Sequence, residues 1–555
     1  MARYFLGVDS GTQSTKVVIV NADDGLVGTC HPEQNEGSRH ESSGDFSRLK
    51  PLGMTELAGA VLASATSTYD LISGLPPGHK EQDPAVWIDA VEKCIVRAIK
   101  DAGIDAGEIA GIGVSGQQHG FVALDDKDQV IRPAKLWCDT ATSKQCEELV
   151  AKLGGQAATI DLLGGRIAVG FTASKILWLK ENEPDNYKRL RTVLLPHDYI
   201  NFWLTGNKCM EYGDASGTGL FDIRERKWCR KVIDTIDSNL HQCLPSLVKA
   251  GEVIGEVRPD LCKRWGMSED VIVSVGGGDN MMSAIGTGNV REGIVAASFG
   301  TSGTIYASAN RSIVDDQGLV EGFCDSTGKW LPLVCTMNVT VATEMVRARF
   351  DLNHEEFSDL VSTVKPGSDG LILIPFFEGE RTPNLPDATG VFFGIRPQTF
   401  DAAHMARASV EGVTLGMNYG LNQLRRLGIK PEEIRVTGGG AKSRVWREIM
   451  ADIFNVEVVC LTSSEGAAFG AALQALWTSE RTAGSKVTIE EISERFVHVD
   501  ENTRVKPNPK GVEVYVELQE LQNQLVNSMR EDFRSHRQFL SHLSSLDSKP
   551  VKQLV

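Results

Sequence analysis

A strand, a turn of Gly, Ser and Thr, and a second strand occur twice in this chain. That repeat constrains its architecture more than any other feature. The first copy is Gly7–Lys16, GVDSGTQSTK, framed by the apolar runs Tyr4-Phe5-Leu6-Gly7-Val8 and Val17-Val18-Ile19-Val20. The second is the strand Gly293–Phe299, the turn Gly300-Thr301-Ser302-Gly303 and the strand Gly303–Ser308. A repeated unit of this kind predicts two related domains facing each other. Length agrees, because 555 residues are too many for one core. The spacing places the boundary near Gly286–Glu292.

Each turn offers backbone N–H groups and small hydroxyls, and Gly lets the backbone approach a bound phosphate closely. Asp9, at the end of the first strand, is placed to hold the Mg²⁺ that accompanies a nucleotide. An ordinary Gly-rich hairpin has the same composition, so the first copy alone decides nothing.

Short apolar β-rich runs alternate with helical stretches along the chain, which indicates α/β layers. The patterns predict strands at Phe5–Asp9, Lys16–Asn21, Ile109–Ser115, Phe121–Leu124, Val271–Val275 and Ile434–Val436. They predict helices at Pro84–Ala102 (Asp83 as N-cap), Ala173–Asn182, Asp401–Leu427, Lys442–Ile453 and Gly466–Ala475. The last is built of small residues, which permits close backbone packing. Cys30–Met54 is polar and aperiodic. Joining Gly25-Leu26 to Val61-Leu62 restores a hairpin, so residues 28–59 read as a mobile surface insertion without a catalytic role. The tail is predicted to form one helix over Val512–Phe539.

Net charge is −16, which disfavours nucleic acid or an anionic membrane as partner. The N-terminus, MARYFLGVDSG, enters a strand at once, without a basic n-region or cleavage site. There is no apolar run of about 18 residues, the length a membrane span needs. The cysteines are scattered, without a CxxC pair, which suggests free thiols in a reducing cytoplasm. No HExxH or Cys/His cluster suggests zinc.

Four segments carry chemistry. In GGGDN, Gly276–Asn280, a strand ends in three glycines that leave Asp279 at a tip. Phosphoryl transfer to an alcohol needs a carboxylate to accept the hydroxyl proton, and Asp279 has that form; it is equally suited to cap the following helix. GQQHG, Gly116–Gly120, follows a strand and offers Gln118 and His119 to the hydroxyls of a polyol, although a lone His there is often structural. SFGTSG, Ser298–Gly303, exposes Thr301 at a second phosphate-type turn. GGGAKSRVW, Gly438–Trp446, is a Gly turn into a helix whose electropositive N-terminus suits a nucleotide. It is not a Walker A motif, since Ala441 stands before the Lys. GIGVSG, Gly111–Gly116, formally matches a dinucleotide fingerprint, but it lies inside a strand.

These segments, with KLWCDT (Lys135–Thr140), LLPHDYI (Leu194–Ile200), DASGTGLFD (Asp214–Asp222) and GERTPNLPDATGVFFG (Gly379–Gly394), run in an order that resembles the FGGY carbohydrate kinase family. The likeness covers roughly Tyr4 to Trp477 and is closest to the members that phosphorylate D-xylulose. It implies an α/β fold of two ribonuclease H-like domains of the actin/hexokinase/Hsp70 ATPase type, with ATP and sugar in the cleft between them. Residues 1–288 would form the N-terminal, sugar-binding domain, 289–485 the C-terminal, nucleotide-binding domain, and 486–555 an extension. The implied reaction transfers the γ-phosphoryl of ATP to the 5-hydroxyl of D-xylulose.

In the same terms, Asp279 would be the general base and Asp9 the acid near Mg²⁺, directly or through water. Gln118, His119, Asp279, Asn280 and, in some relatives, Arg166 would contact sugar. Thr12, Thr15, Gly300, Thr301, Gly440, Ala441 and Arg444 would contact ATP. The implied partners are a small-molecule sugar and ATP, with no nucleic acid and no membrane; a homodimer is compatible with the family. Two departures stand out. Cys30–Met54 has no counterpart in the family pattern, and Gln118 stands where some relatives carry Met. The alternatives are a kinase of another pentulose or polyol, such as ribulose or glycerol, and a catalytically silent ATPase-fold sensor. Retention of Asp9 and Asp279 argues against the sensor. A dehydrogenase would rest on GIGVSG alone.

Overall fold

The computed structural model describes residues 3–23, 61–463 and 466–547. The inferred insertion at 28–59 lies outside the described residues.

In the first half, β1 (Tyr4–Ser10), β2 (Ser14–Asn21) and β3 (Val61–Thr68) form an antiparallel meander. Phe5, Leu6 and Val8 are all fully buried, as expected for a central strand covered on both faces. After α1 (Pro84–Ala102), β4 (Ile109–Gly116) pairs in parallel with β1. The Asp83 carboxylate accepts the Ala85 N–H at 3.0 Å, so the N-cap read from the sequence is present. At the edge, β5 (Val253–Glu256) runs antiparallel to β6 (Ile272–Ser274), which is parallel to β4. The short β7 (Gly277–Gly278) extends along the end of β4 and leads into α2 (Asp279–Gly286).

The second half repeats this topology. β8 (Ile294–Phe299), β9 (Gly303–Ala307), β10 (Glu321–Cys324) and β11 (Trp330–Thr336) supply its antiparallel part, in the order β10-β11-β9-β8. Beyond the long helix α3 (Ala402–Arg426), β12 (Glu433–Thr437) is parallel to β8. After α4 (Arg444–Phe454), β13 (Glu457–Leu461) is parallel to β12. Then follow α5 (Gly466–Thr482) and β14 (Val499–Val505), antiparallel to β13. Meander, parallel crossover, parallel crossover and helix occur in the same order in both halves, as the two matching turns predict.

The halves meet through α2 and α5. A Cβ on Gly470 would lie 1.8 Å from the Met282 carbonyl oxygen, and one on Gly286 1.9 Å from that of Gly466. Each glycine therefore receives the backbone of the other helix. On its other side α5 crosses the first sheet, where a Cβ on Gly7 would lie 1.8 Å from the Ala468 oxygen. Met281, Met282 and Ile285 of α2 share one apolar cluster with Ala471 and Leu473 of α5, Phe5 of the first sheet, and Ala296 and Leu333 of the second. The helix that follows the second parallel crossover of each half thus enters a common core between the sheets.

Two boundaries differ from the sequence reading. The helix expected from Lys442 begins at Arg444, after a 3₁₀ turn over Gly440–Lys442, because Ser443 caps it by accepting the Trp446 N–H. The single tail helix is two, α6 (Pro509–Ser528) and α7 (Arg530–Asp547). The Ser528 hydroxyl donates to the Leu525 carbonyl at 2.9 Å, so it competes there with the Met529 N–H, which reaches the same carbonyl at 3.0 Å. α6 is firmly docked: Tyr515 is buried, its hydroxyl donating to Glu411 at 2.7 Å and accepting from Arg407 at 2.8 Å. Among the described residues no helix is long and apolar enough to cross a membrane, and every cysteine is a free thiol.

Gly470→Ala tests the crossing. A methyl placed 1.8 Å from a backbone oxygen has no flexible neighbour to displace. The substitution is expected to destabilise the protein by about 3 kcal/mol, read as a lowered melting temperature. An unchanged melting temperature would show that the two helices are not held in this contact.

Candidate active site

The parallel strands place three chemical groups at one edge of the first sheet. Asp9 on β1 is in register with Ser115 on β4, and Gly277 of β7 is paired with the same Ser115. Ligands bind outside the carboxyl ends of such strands, and here those ends carry Asp9, the Gln117-Gln118-His119 segment and Asp279. Ser115 Oγ donates to Asp9 Oδ1 at 2.7 Å. Asp279 opens α2 as its first residue, with Gly278 as the N-cap, so it is not the cap that the sequence also allowed. Burial pushes its carboxyl up to about 7, and the negative charges of Asp9 and Asp214 add to this against the N–H donated by Asn280.

A cavity of about 390 Å³ opens beside it, lined by Gln118, His119, Asp279 and Asn280 from the first half and by Ser302, Thr304, Glu321, Phe323 and Arg381 from the second. Asn280 Nδ2 donates to Gln118 Oε1 at 2.9 Å and to Asp279 Oδ1 at 3.1 Å, while its backbone N–H donates to the same Asp279 oxygen at 2.8 Å. His119 has φ of 63°. Its carbonyl accepts Lys175 Nζ at 2.6 Å and Thr172 Oγ1 at 3.2 Å. Its ring packs in a cluster with Phe171, at a centroid distance of 4.5 Å, and Phe323, at 5.9 Å, which also touch each other at 6.3 Å. Burial, with the Lys175 and Arg381 charges behind it, drives the imidazole down to about 3, so it is neutral. Arg166 also lines the cavity, but its Nε donates to Glu321 at 2.6 Å across the two halves. Its charge is matched by that carboxylate.

The expected nucleotide residues divide into three groups. Thr12 faces the cleft side of its turn: its hydroxyl donates to Gln117 at 3.2 Å and accepts the Trp137 indole N–H at 2.9 Å. Thr15 does not. It is fully buried, and its hydroxyl meets Ser10 at 3.3 Å and Tyr69 at 3.1 Å. Tyr69 in turn donates to the Gly11 carbonyl at 2.8 Å, so Thr15 supports the turn from behind. On the opposite turn the Gly300 carbonyl accepts both the N–H and the hydroxyl of Thr340, each at 2.9 Å, and the Thr301 side chain is exposed. A second cavity, of about 510 Å³, lies beyond it, lined by Gly439, Gly440, Ser443 and Trp446 with Thr340, Phe357 and Ser358. Ala441 is buried next to it, and its carbonyl accepts Arg447 at 2.7 Å. Arg444 points away into solvent and pairs with Glu448 at 3.1 Å.

A buried charge cluster underlies the site. His197 and Asp214, from the LLPHDYI and DASGTGLFD segments, meet at 2.6 Å, and His197 Nε2 lies 3.2 Å from Asp198 without hydrogen-bond alignment. Burial opposes charge on His197, but Asp198, Asp214 and Glu211 outweigh it and hold the ring up at about 9. Its backbone packs directly under Gly116. Glu81 and Asp139 lie close together near His79, but Lys135 Nζ sits 3.0 Å from Glu81, 3.1 Å from Asp139 and 3.3 Å from His79. That group is an ion-pair network, with an ammonium where a metal ion would stand.

Sequence reasoning did not single out Lys175, Phe171, Phe323, Glu321 or Arg381. Arg381 lay within a quoted segment, GERTP, as the one cation after a glycine. Glu321 and Phe323 carried no local signal, because only the fold brings the β10 edge to the cavity.

Comparison with known proteins agrees with this geometry. Residues 52–286 match the N-terminal domain of the FGGY family of carbohydrate kinases, and residues 295–479 match its C-terminal domain. A xylulose kinase of Haemophilus influenzae is 38% identical over 548 residues, covering 98% of this chain and 100% of that one. A xylulose kinase of Lactococcus lactis subsp. lactis is 33% identical, covering 87% and 95%. The crystal structure of a xyloylose kinase from Brucella ovis superposes with a TM-score of 0.83 at 28% identity, covering 95% of this chain and 100% of that one. Two matched domains in order, near-complete coverage and a cleft built from both halves place the chain in the FGGY family of carbohydrate kinases, phosphotransferases with an alcohol group as acceptor.

Proposed function

We propose that this protein transfers the γ-phosphoryl group of ATP to the 5-hydroxyl of D-xylulose, giving D-xylulose 5-phosphate and ADP. The observation that carries the reading is Asp279: a half-buried carboxylate, near Asp9, that shares one cavity with Gln118, His119 and Asn280. The likeness to xylulose kinases supports the choice of sugar.

Asp279 accepts the proton of the attacking hydroxyl as the new O–P bond forms and the bond from the γ-phosphorus to the ADP oxygen breaks. Asn280 donates twice to Asp279 Oδ1, which leaves Oδ2 to receive the proton. Gln118 and neutral His119 orient the sugar hydroxyls, and the phenyl faces of Phe171 and Phe323 fix the imidazole. Arg166 holds the cavity wall through Glu321. Thr12 and the Gly300-Thr301 backbone flank the phosphates, Thr15 braces its turn, and Gly440 with Ala441 borders the cavity for base and ribose; Arg444 points away from that cavity and takes no part. Positions without a Cβ fit such a ligand: a side chain built on Gly439 would meet nothing within 4 Å, and one on Gly11 only the Ser14 carbonyl. Asp9, an oxygen donor at the phosphate turn, suits Mg²⁺, which when bound neutralises phosphate charge. The reaction belongs to the cytoplasm.

A panel of pentuloses, hexuloses, polyols and aldonates in a coupled ADP-release assay tests the substrate, with phosphorus NMR to locate the ester. D-xylulose should give the highest kcat/KM and a 5-phosphate. Preference for another sugar, or sugar-independent ATP hydrolysis alone, would overturn it.

The base assignment has its own pH signature. A carboxylate raised to about 7 is protonated, and so unable to accept a proton, below that pH. kcat/KM for the sugar should therefore fall as pH drops below about 7, because that ratio reports the free enzyme's groups. Asp279→Asn should lower kcat by about 10²-fold or more and abolish this limb. A limb near the ordinary carboxylate range, or a fully active Asn variant, would assign the base elsewhere.

A further inference from the structure

Gln474 is a fully buried polar side chain on α5, a helix whose other buried residues are apolar except for Thr478. A glutamine amide has two acceptor lone pairs and two N–H donors. Here all four are used. Oε1 accepts the Gly276 N–H at 2.8 Å and the Ser274 hydroxyl at 3.0 Å. Nε2 donates to the Gly276 carbonyl at 3.2 Å and to the Ser326 carbonyl at 3.1 Å. Two donors face Oε1 and two carbonyls face Nε2, so only this orientation of the amide satisfies the set.

The partners decide what the bonds do. Gly276 lies at the break between β6 and β7, with φ of 68°, and a Cβ there would sit 2.2 Å from the Val114 carbonyl oxygen. The left-handed turn removes both Gly276 peptide groups from the sheet, and buried peptide groups must find partners. Gln474 supplies both. Three residues later the turn delivers Asp279. Ser326 follows β10, whose Glu321 and Phe323 form the far wall of the sugar cavity. The Ser326 hydroxyl is packed against Gly277, where a Cβ would lie 2.3 Å away. One amide from the end of the second half therefore ties the turn that bears the base to the wall that faces it.

We propose that Gln474 is a positioning residue for phosphoryl transfer, fixing the Asp279 turn and keying it to the Glu321–Phe323 wall. It rests on the reading of Asp279 as the base, but touches neither substrate. A structural glutamine would affect stability alone; a positioning one also changes the chemical step, since a displacement of about 1 Å at the reacting groups costs about 10²-fold in rate.

The test compares Gln474→Leu, which removes all four bonds, and Gln474→Met, which better fills the space, with the full-length wild type. Three quantities are read: kcat against KM for D-xylulose and ATP, the melting temperature, and hydrogen exchange across residues 272–282. Variants that remain folded should lose about 10²-fold in kcat with the KM for ATP unchanged. Their exchange should rise over 274–280 while that of β1 and β2 stays at the wild-type level. Either folded variant with wild-type kcat would overturn the proposal. So would exchange raised uniformly over both sheets with kcat per folded molecule unchanged. If wild type phosphorylates no sugar, the kinase reading itself fails. The local exchange at 274–280 then judges the brace by itself: protection equal to wild type in both variants would overturn it.

Discussion

The site depends on a backbone-to-backbone contact between two helices. Gly286 and Gly470 let α2 and α5 approach until each helix rests on a carbonyl of the other. Any side chain there would force them apart. α2 begins with Asp279, and α5 carries Gln474 to the turn before it. The separation of the halves, the aim of Asp279 and the shape of the cavity beside it therefore follow from one crossing. Met281, Met282 and Ile285 on one helix and Ala471 and Leu473 on the other fill a core continuous with both sheets. Apolar contacts also join the halves at the far wall of the cavity, where Cys324 packs with Met210, Phe221 and Ile223 and Phe323 lies 6.3 Å from Phe171.

Electrostatics then sort the groups in the cleft. Burial raises the Asp279 carboxyl, and the nearby Asp9 charge adds to the effect. The result is a carboxyl poised near neutrality, where a general base is most effective. His119 is driven the opposite way by the same burial and by the Lys175 and Arg381 charges, so it serves as a neutral hydrogen-bonding group. Beneath both, the His197–Asp214 pair keeps its charges internal and packs against the glycines that shape the two turns.

Much of this was legible in the residues. The two Gly/Ser/Thr turns predicted two matching sheets, because strand and turn chemistry are local. Asp83 marked the start of α1 for the same reason, and the small residues after Gly466 announced close helix packing. What was not legible depended on tertiary contact. Thr15 has the composition of a phosphate ligand, but Tyr69, many residues away, engages it from inside. Arg166, expected at the sugar, does line the cavity, but its partner Glu321 comes from β10, far away in sequence. The tail was expected as one helix, whereas it forms two, with the Ser528 hydroxyl sharing the Leu525 carbonyl at the break. Gln474 gave no signal at all, since its partners are mostly main-chain groups.

The central claim is that two halves, pivoting about the α2–α5 crossing, close one cleft around sugar and nucleotide. Under the proposed function, in-line transfer brings Asp279 and the Gly300-Thr301 turn together across the substrates with water excluded. Small-angle scattering of the full chain tests this directly. D-xylulose together with a non-hydrolysable ATP analogue and Mg²⁺ should reduce the radius of gyration relative to the free protein and to either ligand alone. An unchanged radius with both ligands bound at saturation would contradict the account.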